Sequence, residues 1–162
     1  MSIDGLGQVN EYIRFPSRWN IIEKNAKKIK QFLDEKPENV FGINSAITIY
    51  NVFELDRLTS WAHEQFGALT DDGGNNAFFL SCAVHPEYMN IQHLPPDIKR
   101  ELLDKYPDNR HYAFVRATLK TEGNPSKMSV FKEKTMAFDR VRNISYLNYV
   151  PSIQRVMDAN HG

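Results

Sequence analysis

Cysteine is almost absent from this 162-residue chain, because Cys82 is the only one. A single thiol excludes an intrachain disulfide, a CxxC redox pair and any zinc or iron–sulfur site built mainly from this chain's thiolates. Cys82 lies in an apolar run without a basic neighbour, so we expect a buried, unreactive side chain. The scarcity of cysteine also favours a reducing compartment, and we expect a cytoplasmic protein.

Long hydrophobic runs and an excess of one charge are also missing. No apolar run approaches the ~20 residues that a membrane span needs, and the N-terminal residues lack the pattern of a secretion signal. Lysine plus arginine and aspartate plus glutamate number 20 each, so the formal net charge is zero. We therefore expect no membrane insertion, no nucleic-acid partner, and little electrostatic repulsion between copies of the chain.

Glycine-rich phosphate loops and nucleophile motifs are missing as well. The GLG of residues 5–7 lacks the third glycine of a dinucleotide fingerprint, and no P-loop or GxSxG is present. His85, His93 and His111 do not have metal-ligand spacing, although Glu87 follows His85 by two positions. A hydrolase or transferase using His85 with Glu87 is a weak alternative, because no nucleophile with an oriented base is visible.

The sequence does contain an alternation of strand and helix patterns. Residues 1–4 are typical of a strand end, and residues 5–17 of an irregular loop. Apolar residues at intervals of three and four predict a helix from residue 17. Residues 40–50 alternate between one apolar face and one small, polar face, which predicts a strand. The apolar, aromatic run at 77–84 predicts a second, buried strand.

Helix boundaries follow from capping and breaking residues. Pro37 and Asn39 end the first predicted helix. Asn51 and Glu54 match a capping box that begins the second, and Gly67 ends it before a loop rich in glycine, asparagine and aspartate.

Strand, helix, strand, helix, strand with this spacing predicts a parallel sheet in an α/β protein. We expect a partial, half βα barrel with about three parallel strands covered by helices, plus a C-terminal helical extension. The whole chain, 1–162, is expected to form a single domain with strand–helix units at 1–106 and a helical tail at 107–162. The further predicted helices are 96–106, 109–122, 125–142 and a short one after Pro151.

Polar side chains are predicted at the edge where parallel sheets bind ligands. Ser2 and Asp4 share one face of the first strand and lie at its carboxyl end, with Arg14 in the following loop. A hydroxyl and a carboxylate suit ribose or amine groups, and a guanidinium suits a carboxylate. The structural alternatives are an Asp-Gly turn and a surface arginine.

Asn44 and Thr48 are predicted to share the polar face of the next strand. In a sheet whose other face is covered by helices, such a face lines a barrel interior or a cleft. A half-sheet facing solvent is the competing explanation.

Two strings carry a resemblance to a known family. SIDGLGQVNEYIRFPSRWNIIEKNAKKI and INSAITIYNVFELDRL resemble the fourth and fifth strand–helix units of radical S-adenosylmethionine (SAM) enzymes, particularly the twitch or SPASM-type branch. KTMAFDRVRNISYLNYVPSI resembles that branch's C-terminal helices, and residues 68–127 match least distinctly. The resemblance follows the family's order over nearly the whole chain.

The resemblance implies a set of binding residues. Ser2 and Asp4 would lie near the ribose or amino group of SAM, and Arg14 near its carboxylate. Asn44 would face SAM or substrate. Thr48 and the loop containing His85 and Glu87 would face substrate.

The chain departs from the family at its defining motif. Members hold a 4Fe-4S cluster in a CxxxCxxC loop, in the first strand–helix unit, and leave one iron open to SAM; this sequence has no such loop. The auxiliary-cluster cysteines of SPASM-type members are missing too. We expect neither the 4Fe-4S cluster nor SAM to be retained by this chain alone.

The sequence therefore predicts a fragment of a radical-SAM-like enzyme that forms part of the SAM and substrate wall and is catalytically inactive alone. Met1 falls where the family has a mid-strand residue, so we expect a truncated chain or one subunit of a split enzyme. A non-enzymatic small-molecule or partner-binding module is the alternative. An unpaired sheet edge predicts a homo-oligomer or association with the missing N-terminal half.

Overall fold

The fold is a mixed α/β arrangement in which helices predominate over a small parallel sheet. A computed structural model describes residues 1–36, 41–66 and 76–159. The helix ends predicted at Pro37, Asn39 and Gly67, and most of the loop after Gly67, lie outside the described residues.

The sheet consists of β1 (Phe41–Ile47) and β2 (Asn76–Cys82), which pair in parallel from Phe41 opposite Asn76 to Ile47 opposite Cys82. Both strands lie where the sequence patterns predict them. The predicted first strand is reduced to a single parallel bridge between Ser2 and Asn44, on the β1 side of the sheet. The described residues therefore form two strands and one bridging segment. They do not confirm the three-stranded half barrel that the sequence predicts.

The residues after this bridge form a helix where the sequence predicts an irregular loop. Helix α1 spans Gln8–Ile13. The chain turns into it at Gly5, where a Cβ atom would lie 2.5 Å from Cγ1 of Val9, so only glycine allows this close approach. The loop prediction failed because α1 is short and depends on distant contacts.

Helices α2 (Trp19–Glu35) and α3 (Leu55–Phe66) cover one face of the sheet. A hydrophobic cluster there contains Ile3, Ile43 and Phe78 from the parallel segments, packed against apolar residues of both helices. The predicted periodicity of these helices is confirmed. The capping box at Asn51 is not formed: a 3-10 turn at Val52–Glu54 precedes α3, and the Asn51 side chain bonds elsewhere.

The described chain from residue 96 onward is mostly helical, as the sequence predicts, and it is divided into several helices. A larger hydrophobic cluster joins them to the ends of the strands and contains residues from both sides of position 106, such as Ile47, Leu102 and Val156. Among the described helices, none combines the length and apolar character needed to cross a membrane. The helices are α4 (Pro96–Lys105), α5 (Ala113–Lys120), α6 (Ser126–Arg142), α7 (Tyr146–Tyr149) and α8 (Gln154–Asp158).

Candidate functional site

One face of the sheet is polar and exposed. Ser2 and Asn44 lie side by side through the parallel bridge, and both are exposed. Ser81 of β2 is also exposed and donates a hydrogen bond to Oδ1 of Asn44 at 3.5 Å. Phe79 lies opposite Asn44 in the register and is exposed as well, so this otherwise polar face also carries one large apolar side chain. This polar face contrasts with the opposite face, which α2 and α3 cover with apolar side chains.

Asp4 and Arg14 meet at the carboxyl end of this face. Asp4 is 3% exposed, and its Oδ1 accepts a hydrogen bond from the backbone N–H of Ala46 at 2.9 Å. Its Oδ2 lies 2.7 Å from Nε of Arg14, whose side chain is 38% exposed. The two charged residues that the sequence places at this edge therefore bind each other, and the guanidinium extends from a buried carboxylate toward solvent.

Two asparagines that the sequence analysis missed complete this site. Oδ1 of Asn10 accepts from the N–H of Asp4 at 3.0 Å. Nδ2 of Asn51 donates to the carbonyls of Asp4, at 2.6 Å, and Ala46, at 2.8 Å. The two amides fix the backbone around Asp4 from α1 and from the turn after β1. The bond of Asn51 to Asp4 joins residues 47 positions apart, whereas Asn10 is only six positions from Asp4. Only their position near strand ends could have indicated these roles.

The Nδ2 atom of Asn10 is a buried donor without a hydrogen-bond partner among the described residues. Asn10 is fully buried, and a buried donor without an acceptor is unfavourable by about 1–3 kcal/mol.

Thr48 does not lie on the polar face with Asn44. β1 ends at Ile47, so Thr48 belongs to the following turn and is buried. Its N–H donates to Oδ1 of Asn51 at 2.7 Å, and its hydroxyl accepts from the N–H of Tyr50 at 3.3 Å. The predicted placement of Thr48 on the strand face is corrected because the turn, not the strand, determines its direction.

His85 and Glu87 lie in the loop after β2, and both are exposed. Glu87 forms an ion pair with Lys127 of α6, with Oε2 and Nζ 2.6 Å apart. This hydrogen bond lowers the pKa of Glu87, and the charge of Lys127 lowers it further. The structure therefore connects Glu87 to the helical tail, and His85 lies near it without pairing as a general base with an orienting acid.

His93, in the same loop, is 4% exposed. Its Nδ1 accepts a hydrogen bond from the N–H of Asn124 at 2.9 Å, and burial lowers its pKa. These contacts favour a neutral imidazole that joins the loop after β2 to the turn before α6.

The residues present do not fit an iron–sulfur cluster. Cys82 is 8% exposed at the end of β2, and burial raises the pKa of its thiol, which disfavours the thiolate that binds metal. Among the described residues, no group of three or more histidines, cysteines, aspartates or glutamates is arranged to hold a metal ion.

No protein-family model, curated protein or solved structure matches this chain. The resemblance to radical SAM enzymes therefore depends on the sequence motifs alone.

Proposed function

We propose that this chain forms part of the SAM and substrate wall of a radical-SAM-type βα barrel. The observation that carries the proposal is the polar face of the sheet, which contains Ser2, Asn44 and Ser81 and which no described helix covers. Parallel sheets in α/β proteins are covered on both faces or enclose a barrel interior. Small polar residues on the uncovered face favour the second arrangement, with ligand on that side.

The residues around this face fit part of a SAM molecule. Ser2 and Asn44 offer exposed hydroxyl and amide groups that suit ribose hydroxyls. Asn10 is fully buried, so its proposed role is to hold the backbone of Asp4 rather than to bind the ligand. Both oxygens of Asp4 already have partners, so its proposed role is indirect: it holds Arg14 in place rather than binding the ligand itself.

Arg14 is the proposed carboxylate-binding group. Its Nε is engaged by Asp4, which leaves the two terminal nitrogens of the guanidinium to donate to a carboxylate in bidentate geometry. Fixing one edge of the guanidinium reduces the conformational freedom that ligand binding would otherwise remove.

The cluster that such enzymes need must come from another polypeptide in this proposal, because the sequence has one cysteine. In a complete enzyme of this type the cluster would supply the electron that cleaves SAM. This chain's own residues would orient SAM and exclude water. We accordingly propose a chain that is inactive alone and associates with a second copy or with a cluster-bearing partner.

The loop after β2 is the proposed substrate side of the wall. His85 and Glu87 are exposed there, and the ion pair of Glu87 with Lys127 holds the loop against α6. Thr48 supports the adjacent turn from inside, so in this proposal it shapes the substrate side without contacting substrate.

Calorimetric titration with millimolar SAM tests the proposed site. We expect weak binding by the unmodified chain and a loss of about tenfold in affinity for Arg14→Gln, since one charged hydrogen-bonding group is removed. Arg57→Gln is the matched control: Arg57 is an exposed arginine of α3 that pairs with Glu54 in the preceding 3-10 turn, and its replacement should leave binding unchanged. No heat with the unmodified chain, or equal binding by both variants, would refute the assignment.

A non-enzymatic binding module is the second candidate. The observation that favours it is that both oxygens of Asp4 are satisfied without any ligand. Anaerobic incubation with iron, sulfide, SAM and the low-potential reductant dithionite separates the two candidates. It is done with and without a co-purified chain that carries a CxxxCxxC loop. The enzyme proposal expects 5′-deoxyadenosine only when both chains are present; a binding module produces none in either case.

A further inference from the structure

A large cleft lies away from the polar sheet face, between α4 and α5. Its volume of about 880 Å³ falls in the range of small-molecule sites, roughly 300–1,000 Å³. Apolar side chains form much of its lining, and charged ones are interspersed with them. The apolar residues include Leu94, Leu103, Leu119 and Pro125.

The walls of this cleft are fixed to each other. Nζ of Lys99, in α4, donates to the carbonyl of Thr121, after α5, at 2.7 Å. A Cβ atom on Gly123 would lie 2.1 Å from the carbonyl oxygen of Gln92, so the turn packs directly against the neighbouring loop. His93 accepts from Asn124 at the same end. The cleft is therefore preformed.

Lys99 is a partly buried cation in the wall of the cleft. None of the ion pairs among the described residues includes Lys99. Burial lowers the pKa of Lys99, and the charge of Glu122 opposes this shift. One of its three N–H groups bonds to Thr121, which leaves two for another acceptor. A desolvated ammonium beside an apolar surface favours an anion as neighbour.

The rim of the cleft limits the charge of such an anion. Arg100 and Lys120 line it together with Asp97 and Glu122, so the rim groups cancel and Lys99 supplies the net positive charge. One negative charge therefore matches the cleft better than several.

We propose that the cleft between α4 and α5 binds a small organic monoanion, with the anionic group at Lys99 and an apolar body against Leu103 and Leu119. This site is separate from the proposed SAM wall, and its ligand is defined by a single carboxylate-like charge on an apolar frame.

Two-dimensional amide NMR of the whole chain tests this with two probes of the same shape. We expect 2-naphthoate to shift the amide signals of Lys99, Thr121 and Gly123 in a saturable way at millimolar concentration. The neutral 2-naphthamide should bind about fivefold more weakly, because it lacks the charge.

Lys99→Gln should remove the preference for naphthoate while leaving naphthamide binding unchanged, which also shows that the cleft is intact. Lys134→Gln, an exposed lysine on α6, is the control and should bind both probes like the unmodified chain. If Lys99→Gln fails to fold, the relative affinity of the unmodified chain for the two probes still tests the proposal. Equal affinity for both probes, or signal shifts outside the cleft, would overturn the proposal.

Discussion

Asp4 and Asp139 are both buried, and each binds the segment around α1 through its carboxylate, yet their partners differ. Asp4 accepts from the backbone of Ala46 and pairs with Arg14, whose side chain is 38% exposed. Asp139 is 8% exposed, and it accepts from the Tyr12 hydroxyl at 2.8 Å and from the N–H of Tyr146 at 2.7 Å. The first carboxylate holds a cation that a ligand can reach; the second holds only internal neutral donors. A buried carboxylate therefore indicates a binding site only through the group it orients.

The largest expected effect comes from removing the second carboxylate. Asp139→Ala leaves the Tyr12 hydroxyl and the Tyr146 N–H without an acceptor, and we expect a loss of about 3 kcal/mol in the free energy of unfolding. Urea unfolding followed by circular dichroism measures it. Glu133→Ala, at an exposed position of the same helix, should change stability by less than about 0.5 kcal/mol. Equal stability of Asp139→Ala and Glu133→Ala would contradict the structural role that we assign to Asp139.

A smaller effect is expected at Asp4. Asp4→Asn keeps an oxygen that can accept from Ala46 and loses the charge pair with Arg14, so we expect a loss of about 1.5 kcal/mol. Asp34→Asn, which breaks the exposed pair with Lys30 on α2, is the matched control and should be near neutral. A loss as large as that of Asp139→Ala would mean that Arg14 is locked in the structure and is not available to a ligand.

Alkaline pH should sharpen the difference between the two sites. Burial, and then the hydrogen bond to Asp139, raise the pKa of Tyr12 above its ordinary value of 10.0. An unfolded tyrosine loses its proton near pH 10 while the folded one keeps it, so the stability is fully present below that pH and falls above it. Burial also raises the pKa of Tyr50 and Tyr106, so Tyr12 is one of several contributors.

At one pH unit above that value, each such tyrosine reduces stability by about 1.4 kcal/mol. Tyr12→Phe should therefore lose less stability between neutral and alkaline pH than the unmodified chain, by about that amount. Asp4→Asn, whose site contains no phenol, should keep the original pH dependence. Urea unfolding at neutral pH and near pH 11 measures both, and an unchanged pH dependence in Tyr12→Phe would contradict the assignment.

The sequence predicts the parts of this fold whose signals are local. The period of two in β1 and the periods of three and four in α2 are determined by which side faces the apolar cluster, so strands and helices could be placed. Asp4 was identified because a carboxylate before a glycine at a strand end is visible in a few residues. Asp139 was not identified, because nothing in the local sequence distinguishes it from the other charged residues of its helix.

Non-local contacts explain the errors. Asn51 and Glu54 match a capping box, yet the amide of Asn51 bonds to Asp4, which is 47 positions away, and no local pattern can weigh that contact. The same turn takes Thr48 off the strand face. Helix α1 is only six residues long, so its own propensity gave no signal. Its non-local support is the bond of Tyr12 to Asp139, which is 127 positions away.

The partners of Asp4 also determine when this part of the protein can take shape during synthesis. Ala46 and Asn51 follow Asp4 by 42 and 47 positions, so the ribosome must release each of them before its own bond to Asp4 can form. Until then Oδ1 and the carbonyl of Asp4 remain hydrated. The nascent chain thus carries its candidate ligand-binding edge unassembled until the turn after β1 has emerged.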